Sequence, residues 1–375
     1  MKKRLRVNKV CILTTVHNTF DTRIFYKQAN TLAKAGYNVT LISQYRKNEV
    51  VEGIRIIALP ILYNRLIRIL VLPWYAFKLA LYEKAAIYHF HDPELIPVAI
   101  LLSLLGKRVI YDVHEDFPRQ ILSKYWIPAK IRRIIAKIAE LIEKIACRFY
   151  TKIVAATPAI AHRFPHSKTV IVQNFPILNE ITIEDTIPYL ERPPYIIYVG
   201  QITEIRGAQE MIQAMSYLPE NLGIKLLLIG NFVPSALETK LRQLPGWKYV
   251  EFLGWKTRDE LRQLLGKSRV GLVLFHPKPN HIEAQPNKLF EYMSAGLPVV
   301  ASNFPLWQQI IEKTGSGLTV DPLNPEKIAE AIEYLITHPK EAQQMGQNGR
   351  ILVLKKYNWA KEAEKLLTMY REILS

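Results

Sequence analysis

Short apolar runs alternate with segments of helical periodicity along the 375-residue chain. The strand-like runs of the first half are VCILTTV (10–16), VTLIS (39–43), IRIIAL (54–59), AIYHFH (86–91), RVIYDVH (108–114), KIVAAT (152–157) and TVIVQN (169–174). Helical periodicity falls between them over 24–35, 94–105 and 128–149. The apolar character is continuous within each run, so these strands are expected to be buried on both faces and therefore parallel. A Pro-rich, poorly periodic stretch, 174–194, reads as an interdomain linker. The alternation then resumes with YIIYVG (195–200), IKLLLIG (224–230), YVEFLG (249–254), VGLVLF (270–275), PVVAS (298–302) and GLTVD (317–321). The expected fold class is α/β, with two doubly wound domains and a ligand site at the carboxyl ends of the strands. The last segment, YNWAKEAEKLLTMYREILS, is helical, with Trp359, Leu366, Leu367, Tyr370 and Ile373 as its apolar stripe. Its position in the chain does not say which domain it joins.

Composition adds little until charge is considered. With 16 Gly, 23 Pro and nearly half its residues apolar, the chain is globular and long enough for two cores. Its two cysteines, Cys11 and Cys147, form no CxxC pair, so neither a disulfide framework nor a zinc site is expected, and a reducing cytoplasm is the natural compartment. The basic N-terminus leads into an apolar run too short for a signal peptide, and the apolar stretch 66–81 is interrupted by Arg68, Pro73 and Lys78. The net charge of +17 is uneven: residues 1–180 hold 28 Lys and Arg against 12 Asp and Glu, and the rest hold 22 against 21. Such asymmetry points to a polyanion or an anionic surface, nucleic acid or membrane. In 125–152, Ile127, Ile131, Ile134, Ile135, Ile138, Leu141, Ile142 and Ile145 recur at helical spacing beside Lys130, Arg133, Lys137, Lys144 and Arg148. With Tyr125 and Trp126 at its start, this is the pattern of a helix lying in a headgroup plane.

The chemistry concentrates in a few blocks. In HIEAQPNKLFEYMSAGLPVVAS (281–302), Pro286 suits the first position of a helix over 287–295, which Gly296 ends. A helix start attracts a phosphate. Glu283 would stand in the loop before it and Glu291 on its flank. In YVGQITEIRGAQE (198–210), Gly200 permits a tight turn, and Arg206 can point at an anion. That loop is neither a dinucleotide fingerprint nor a Walker loop, which disfavours a dehydrogenase or an ATPase. YHFHDPELIP (88–97) and YDVHEDFPRQ (111–120) put His and Asp at strand ends, with His114 closing its strand. His89 and His91 alternate with Tyr88 and Phe90, and at most one of them is expected on a given side of the strand. No metal site is expected there, and the absence of a G-x-S-x-G elbow argues against a serine hydrolase.

In order and spacing these blocks resemble the retaining glycosyltransferases of family 4 (glycosyl transferases group 1), which have the GT-B fold. EAQPNKLFEYMSAGLPVVAS is similar to the family's E-x7-E segment, and AGYNVTLIS, HFHDPELIP, VIYDVHEDFP, YVGQITEIRG, GLTVDP and YNWAKEAEKLL agree with it. The resemblance implies two Rossmann-like domains facing an interdomain cleft. An acceptor-side domain would span 1–175 and a nucleotide-sugar-binding domain 190–356, with a last helix, 357–375, packing back on the first. By resemblance, Glu283 contacts the donor sugar and Glu291 holds the ribose hydroxyls. The backbone at Pro286, Asn287, Lys288 and Leu289 meets the diphosphate beside Gly200, Arg206 neutralises it, and His114 reaches the sugar. Two departures stand out. Gln201 occupies a position often basic in the family, and TTVHNTFDTRIF (14–25) lacks the family's glycine pair, leaving Asp21 and Arg23 as acceptor candidates.

The expectation is a hexosyltransferase using a UDP-, GDP- or other nucleotide sugar. It would need no cofactor and no metal, since Arg206 and Lys288 supply positive charge and no Asp-x-Asp pair occurs. The acceptor would be lipid-linked or an envelope polysaccharide, and the enzyme cytoplasmic, attached to the anionic inner face of the plasma membrane, with no nucleic acid partner. Within the same fold the alternatives are a nucleotide-sugar epimerase or a phosphorylase. Outside it, the alternative is a non-catalytic protein whose basic half binds membrane or nucleic acid.

Overall fold

The computed structural model describes residues 8–123, 127–178 and 187–375. Backbone contacts divide the chain into one unit of residues 1–174 with 359–375 and a second of 175–358. Tyr125 and Trp126, the aromatic start of the basic helix, lie outside the described residues, as does 179–186 of the expected linker.

In the first unit β1 (Lys9–Leu13), β2 (Asn38–Gln44), β3 (Glu49–Val51), β4 (Ile54–Leu59), β5 (Ile87–Phe90), β6 (Arg108–Val113), β7 (Lys152–Ala155) and β8 (Thr169–Ile171) form one sheet. Its order is β3-β4-β2-β1-β5-β6-β7-β8, parallel throughout except for β3 against β4. The edge strand β3 carries no long apolar run and was not expected. The order reverses between β1 and β5, so the loops after those strands mark the switch point of the sheet. Three helices, Arg65–Glu83, Ile96–Leu104 and Ala129–Ala146, connect successive strands from β4 to β7. Right-handed crossovers put all three on one face, where they pack side by side.

The opposite face is covered by the segment from Thr22 to Lys34 and by Trp359–Leu374. The first begins as a wide π-helical turn over Thr22–Ala29, capped by the Asp21 carboxylate, which accepts the amides of Arg23 and Ile24. The last helix is fixed by the Trp359 indole donating to Thr31 Oγ1 (2.9 Å), Glu362 accepting the Gln173 amide (2.8 Å) and the Tyr370 hydroxyl on His89 Nδ1 (2.8 Å). These polar bonds turn an otherwise ordinary amphipathic stripe into a specific docking surface.

The second unit has six parallel strands: β9 (Tyr195–Val199), β10 (Lys225–Ile229), β11 (Val250–Gly254), β12 (Val270–Val273), β13 (Val299–Ser302) and β14 (Gly317–Val320). Their order is β11-β10-β9-β12-β13-β14, with the switch point between β9 and β12. The end of the expected linker is built into this unit. Tyr189 is buried and donates to the Arg269 carbonyl (2.9 Å), and Arg192 is buried and donates to that of Ser268 (3.1 Å).

Candidate functional site

In the second unit the site grows from the loop after β9. Gly200 adopts φ +127°, a conformation that a side chain would strain, and the space above it is taken by two cations. A Cβ there would lie 3.2 Å from Lys288 Nζ and 3.8 Å from a terminal nitrogen of Arg206. Arg206 ends a single turn, Glu204–Arg206, and Gly207, at φ +74°, starts the following helix against the Leu274 carbonyl, too close for any Cβ.

The helix Asn287–Ser294 supplies Lys288, Glu291 and Tyr292. Tyr292 accepts the Val199 amide (2.8 Å), tying the helix to the end of β9. Pro286 is the N-cap residue, with extended ψ, one position earlier than its fixed φ alone suggests. Leu289 corrects the expected set of amide donors. Its side chain is in the core and its N–H is donated to the Pro286 carbonyl (3.1 Å). Pro286 has no N–H, so Asn287 and Lys288 are left as the amides of the helix start.

Lys288 is the outstanding group. Its side chain is buried, its Nζ has no hydrogen-bond partner among the described residues, and it lies 3.8 Å from the centre of the Tyr198 ring and 5.4 Å from that of Phe275. Burial, and then repulsion from Arg206, hold its pKa well below that of an ordinary lysine. A buried amine with only ring faces for company is costly unless an anion completes it. Glu291, on the flank, pairs with Arg258 at 3.3 Å. Glu283 is exposed at the end of the turn Pro279–Ile282. The loop that follows it is pinned by the buried Trp307, whose indole donates to the Ala284 carbonyl (2.7 Å). Sequence reading missed Trp307, which lies outside the quoted segments, and Tyr198 and Tyr292, which lie inside them but act through contacts across the fold.

In the first unit the strand ends hold a polar cluster. His89 and His91 face the same side of β5, with rings stacked at 4.9 Å, contrary to expectation. Side chains two apart share a face because a strand repeats every second residue. Asp112 is fully buried and takes Arg23 at 3.0 and 3.1 Å and the Gln28 amide at 2.5 Å, with His89, His91 and His114 at 3.6, 4.0 and 3.5 Å. Burial pushes its carboxyl up, but the Arg23 charge and the histidines bring it well below the carboxylate range. Arg23 is corrected from its expected place among acceptor groups: it is 3% exposed, turned inward and spent on Asp112 and the Val172 carbonyl. Asp21 is a helix cap.

His91, Asp112 and His114 bring potential ligand atoms within 4.8 Å of one another. A guanidinium already bridging both Asp112 oxygens would repel a cation there, so the cluster is better suited to orienting imidazoles. His114 Nε2 lies 3.0 Å from Nε2 of His17, whose Nδ1 is 2.8 Å from Asp92. Burial favours the neutral form of His17, but Asp92 outweighs it and raises its pKa. Burial works against the Asp92 carboxylate too, yet His17, the Thr15 amide and the Thr14 hydroxyl bring its pKa down to about 2.

Two family models match the chain: Glycosyltransferase Family 4 over residues 22–174 and Glycosyl transferases group 1 over residues 181–352. The chain belongs to the group 1/family 4 glycosyltransferases, and its two Rossmann-like units are those of the GT-B fold. An uncharacterized glycosyltransferase of Methanocaldococcus jannaschii is 29% identical over 177 residues, 47% of this chain and 44% of that protein. The chain spans about half the length of the curated relatives it matches. Among solved structures, sucrose-phosphate synthase from Thermosynechococcus elongatus superposes with a TM-score of 0.79 at 20% identity, over 98% of this chain and 99% of that one. Anabaena HepE in complex with UDP and glucose gives 0.73 at 13%, over 97% and 100%.

Two outcomes follow from these geometries. Lys288→Met should raise the unfolding midpoint of the ligand-free protein, because it removes a buried, unpartnered amine, and should weaken stabilisation by inorganic pyrophosphate about tenfold or more. Thermal unfolding with and without pyrophosphate measures both. Asp92 has a folded pKa below its ordinary 3.8, so its contribution is complete above that value and is lost as pH falls toward about 2. Asp92→Asn should remove roughly 2 kcal/mol of acid-labile stability, read as the difference between wild-type and variant denaturant curves along a pH series.

Proposed function

We propose that the chain is a retaining glycosyltransferase moving a hexose-type sugar from a nucleotide diphosphate sugar to a lipid-linked or envelope polysaccharide acceptor. The observation that carries this reading is the buried Lys288 amine, without a hydrogen-bond partner among the described residues, converging with Arg206 over Gly200. With an anion between them to hold the Lys288 proton, these two basic groups match the charge of a diphosphate, and the first amides of Asn287–Ser294 add to it. In this reading unit two is the donor side, with Glu291 on the ribose hydroxyls from the helix flank and Glu283 at the sugar. Unit one is the acceptor side, and His114, held by Asp112 and His17, reaches toward the sugar.

Cleavage of the bond between the anomeric carbon and the diphosphate oxygen builds positive charge on the sugar and negative charge on the leaving group. Arg206 and Lys288 stabilise the second, and Glu283 the first. The acceptor oxygen then bonds to the anomeric carbon on the face that the diphosphate leaves. Its proton passes to a diphosphate oxygen, so configuration is retained without a protein nucleophile.

The acceptor assignment is supported by the helix Ala129–Ala146. Ile131, Ile134, Ile138, Leu141, Ile142 and Ile145 are all exposed, alongside exposed Lys130, Arg133, Lys137 and Lys144. No described helix is long and apolar enough to cross a membrane. An exposed apolar stripe flanked by bases instead suits attachment in the headgroup layer, at the cytoplasmic face of the plasma membrane.

Acceptor-dependent release of nucleoside diphosphate tests the activity and separates transfer from epimerisation. Glu283→Gln should lower turnover on the order of a hundredfold and leave UDP stabilisation intact, whereas Glu291→Ala should weaken UDP binding. Wild-type turnover in Glu283→Gln would overturn the assignment of that residue. Because Arg206 and Lys288 provide the counter-charge, activity should survive excess EDTA; loss that Mg²⁺ or Mn²⁺ restores would contradict it.

A further inference from the structure

The surface of the helix Arg65–Glu83 is unlike that of an ordinary crossover helix. It buries Leu72, Pro73, Ala76, Ala80 and Glu83 against the sheet and leaves an outer face of apolar and aromatic residues. Leu66 is 72% exposed, Leu70 68% and Tyr82 73%, with Ile67, Val71 and Trp74 between them. From 61 to 82 there is no acidic residue, and the bases are Arg65, Arg68 and Lys78. Next to it, Ile96–Leu104 ends in exposed Leu104 and Leu105, and beyond that lies Ala129–Ala146 with its own exposed isoleucines. The three outer faces form one side of the first unit, an apolar expanse too continuous for an ordinary solvated surface.

Charge decides what covers it. The first unit carries 31 Lys and Arg against 14 Asp and Glu, whereas the second carries 19 of each. A second copy would bring like charge against like charge. An anionic bilayer offers both hydrocarbon and opposite charge. We infer that Arg65–Glu83 is the apolar anchor of a membrane-docking face, inserted in the headgroup layer beside the more basic Ala129–Ala146. This rests on the attachment proposed above and extends it from one charged helix to a division of labour between two. Ile61 and Leu62, in the segment leading into the anchor, line a cleft of about 620 Å³ together with His17, Phe20, Tyr45 and Arg46. The cleft therefore adjoins the start of the docking helix and takes in one member of the His17–His114 pair.

Co-sedimentation of the full chain with vesicles tests the anchor. The vesicles are phosphatidylcholine, alone or with a minority of phosphatidylglycerol, at physiological and raised salt. The wild type should bind the anionic vesicles and keep part of that binding at raised salt. L66S/L70S/W74S should bind about tenfold less or weaker, with the salt-resistant part gone. R133Q/K137Q/K144Q should lose the salt-sensitive part and keep the other. An unchanged unfolding midpoint certifies each fold, and L70S alone serves if the triple variant unfolds. UDP stabilisation should be unaffected, which separates this test from the donor-site reading. Wild-type binding by both L66S/L70S/W74S and L70S overturns the anchor and leaves charge-driven attachment standing. No vesicle binding by the wild type overturns both. A dimer that these changes dissociate, with vesicle binding unaltered, would assign the face to self-association.

Discussion

Asp112 is an ionised carboxylate with no contact with solvent, and the first unit is arranged to make that tolerable. Its charge is balanced by one guanidinium, and its remaining lone pairs face an amide and three imidazoles. These partners come from the Thr22–Ala29 segment, from the end of β5 and from the residue after β6. The last helix joins through Tyr370 on His89. Removing Arg23 would leave a buried charge uncompensated, a loss of about 3–5 kcal/mol. The same contacts that stabilise the unit therefore fix the orientation of His114, which follows β6, the strand next to the switch point.

The second unit shows the opposite arrangement. Lys288 is buried too, yet it has ring faces where Asp112 has hydrogen bonds. One unit has satisfied its buried charge internally; the other leaves a positive site open above Gly200, with Arg206 at its edge. A buried group without a partner costs stability in the free protein and returns it when an anion arrives. In the proposed reading, that difference makes the second unit the one built around a bound anion. In the first, the polar cluster acts by holding side chains in place.

The two units differ outside as well. All the surplus positive charge belongs to the first, together with the largest exposed apolar helices, Arg65–Glu83 and Ala129–Ala146. Solvent-exposed leucine and isoleucine at such density is unfavourable in water, so this side is shaped by what it meets and not by what it folds against.

By itself the sequence determined the parallel strands, since runs such as VCIL and KLLLI are too apolar for a half-exposed sheet. It also determined the helix after Pro286 and its stop at Gly296, through local backbone preferences. That Glu283 precedes one short helix and Lys288 and Glu291 lie on it was legible because all three fall within one short segment. Only tertiary structure decided that Arg23 turns inward onto Asp112 and that His89 meets Tyr370, 281 residues away. It also decided that the stretch 66–81, whose composition suits a core, shows one face to the outside. Periodicity tells which positions share a face, but which face is covered depends on what the rest of the chain brings to it.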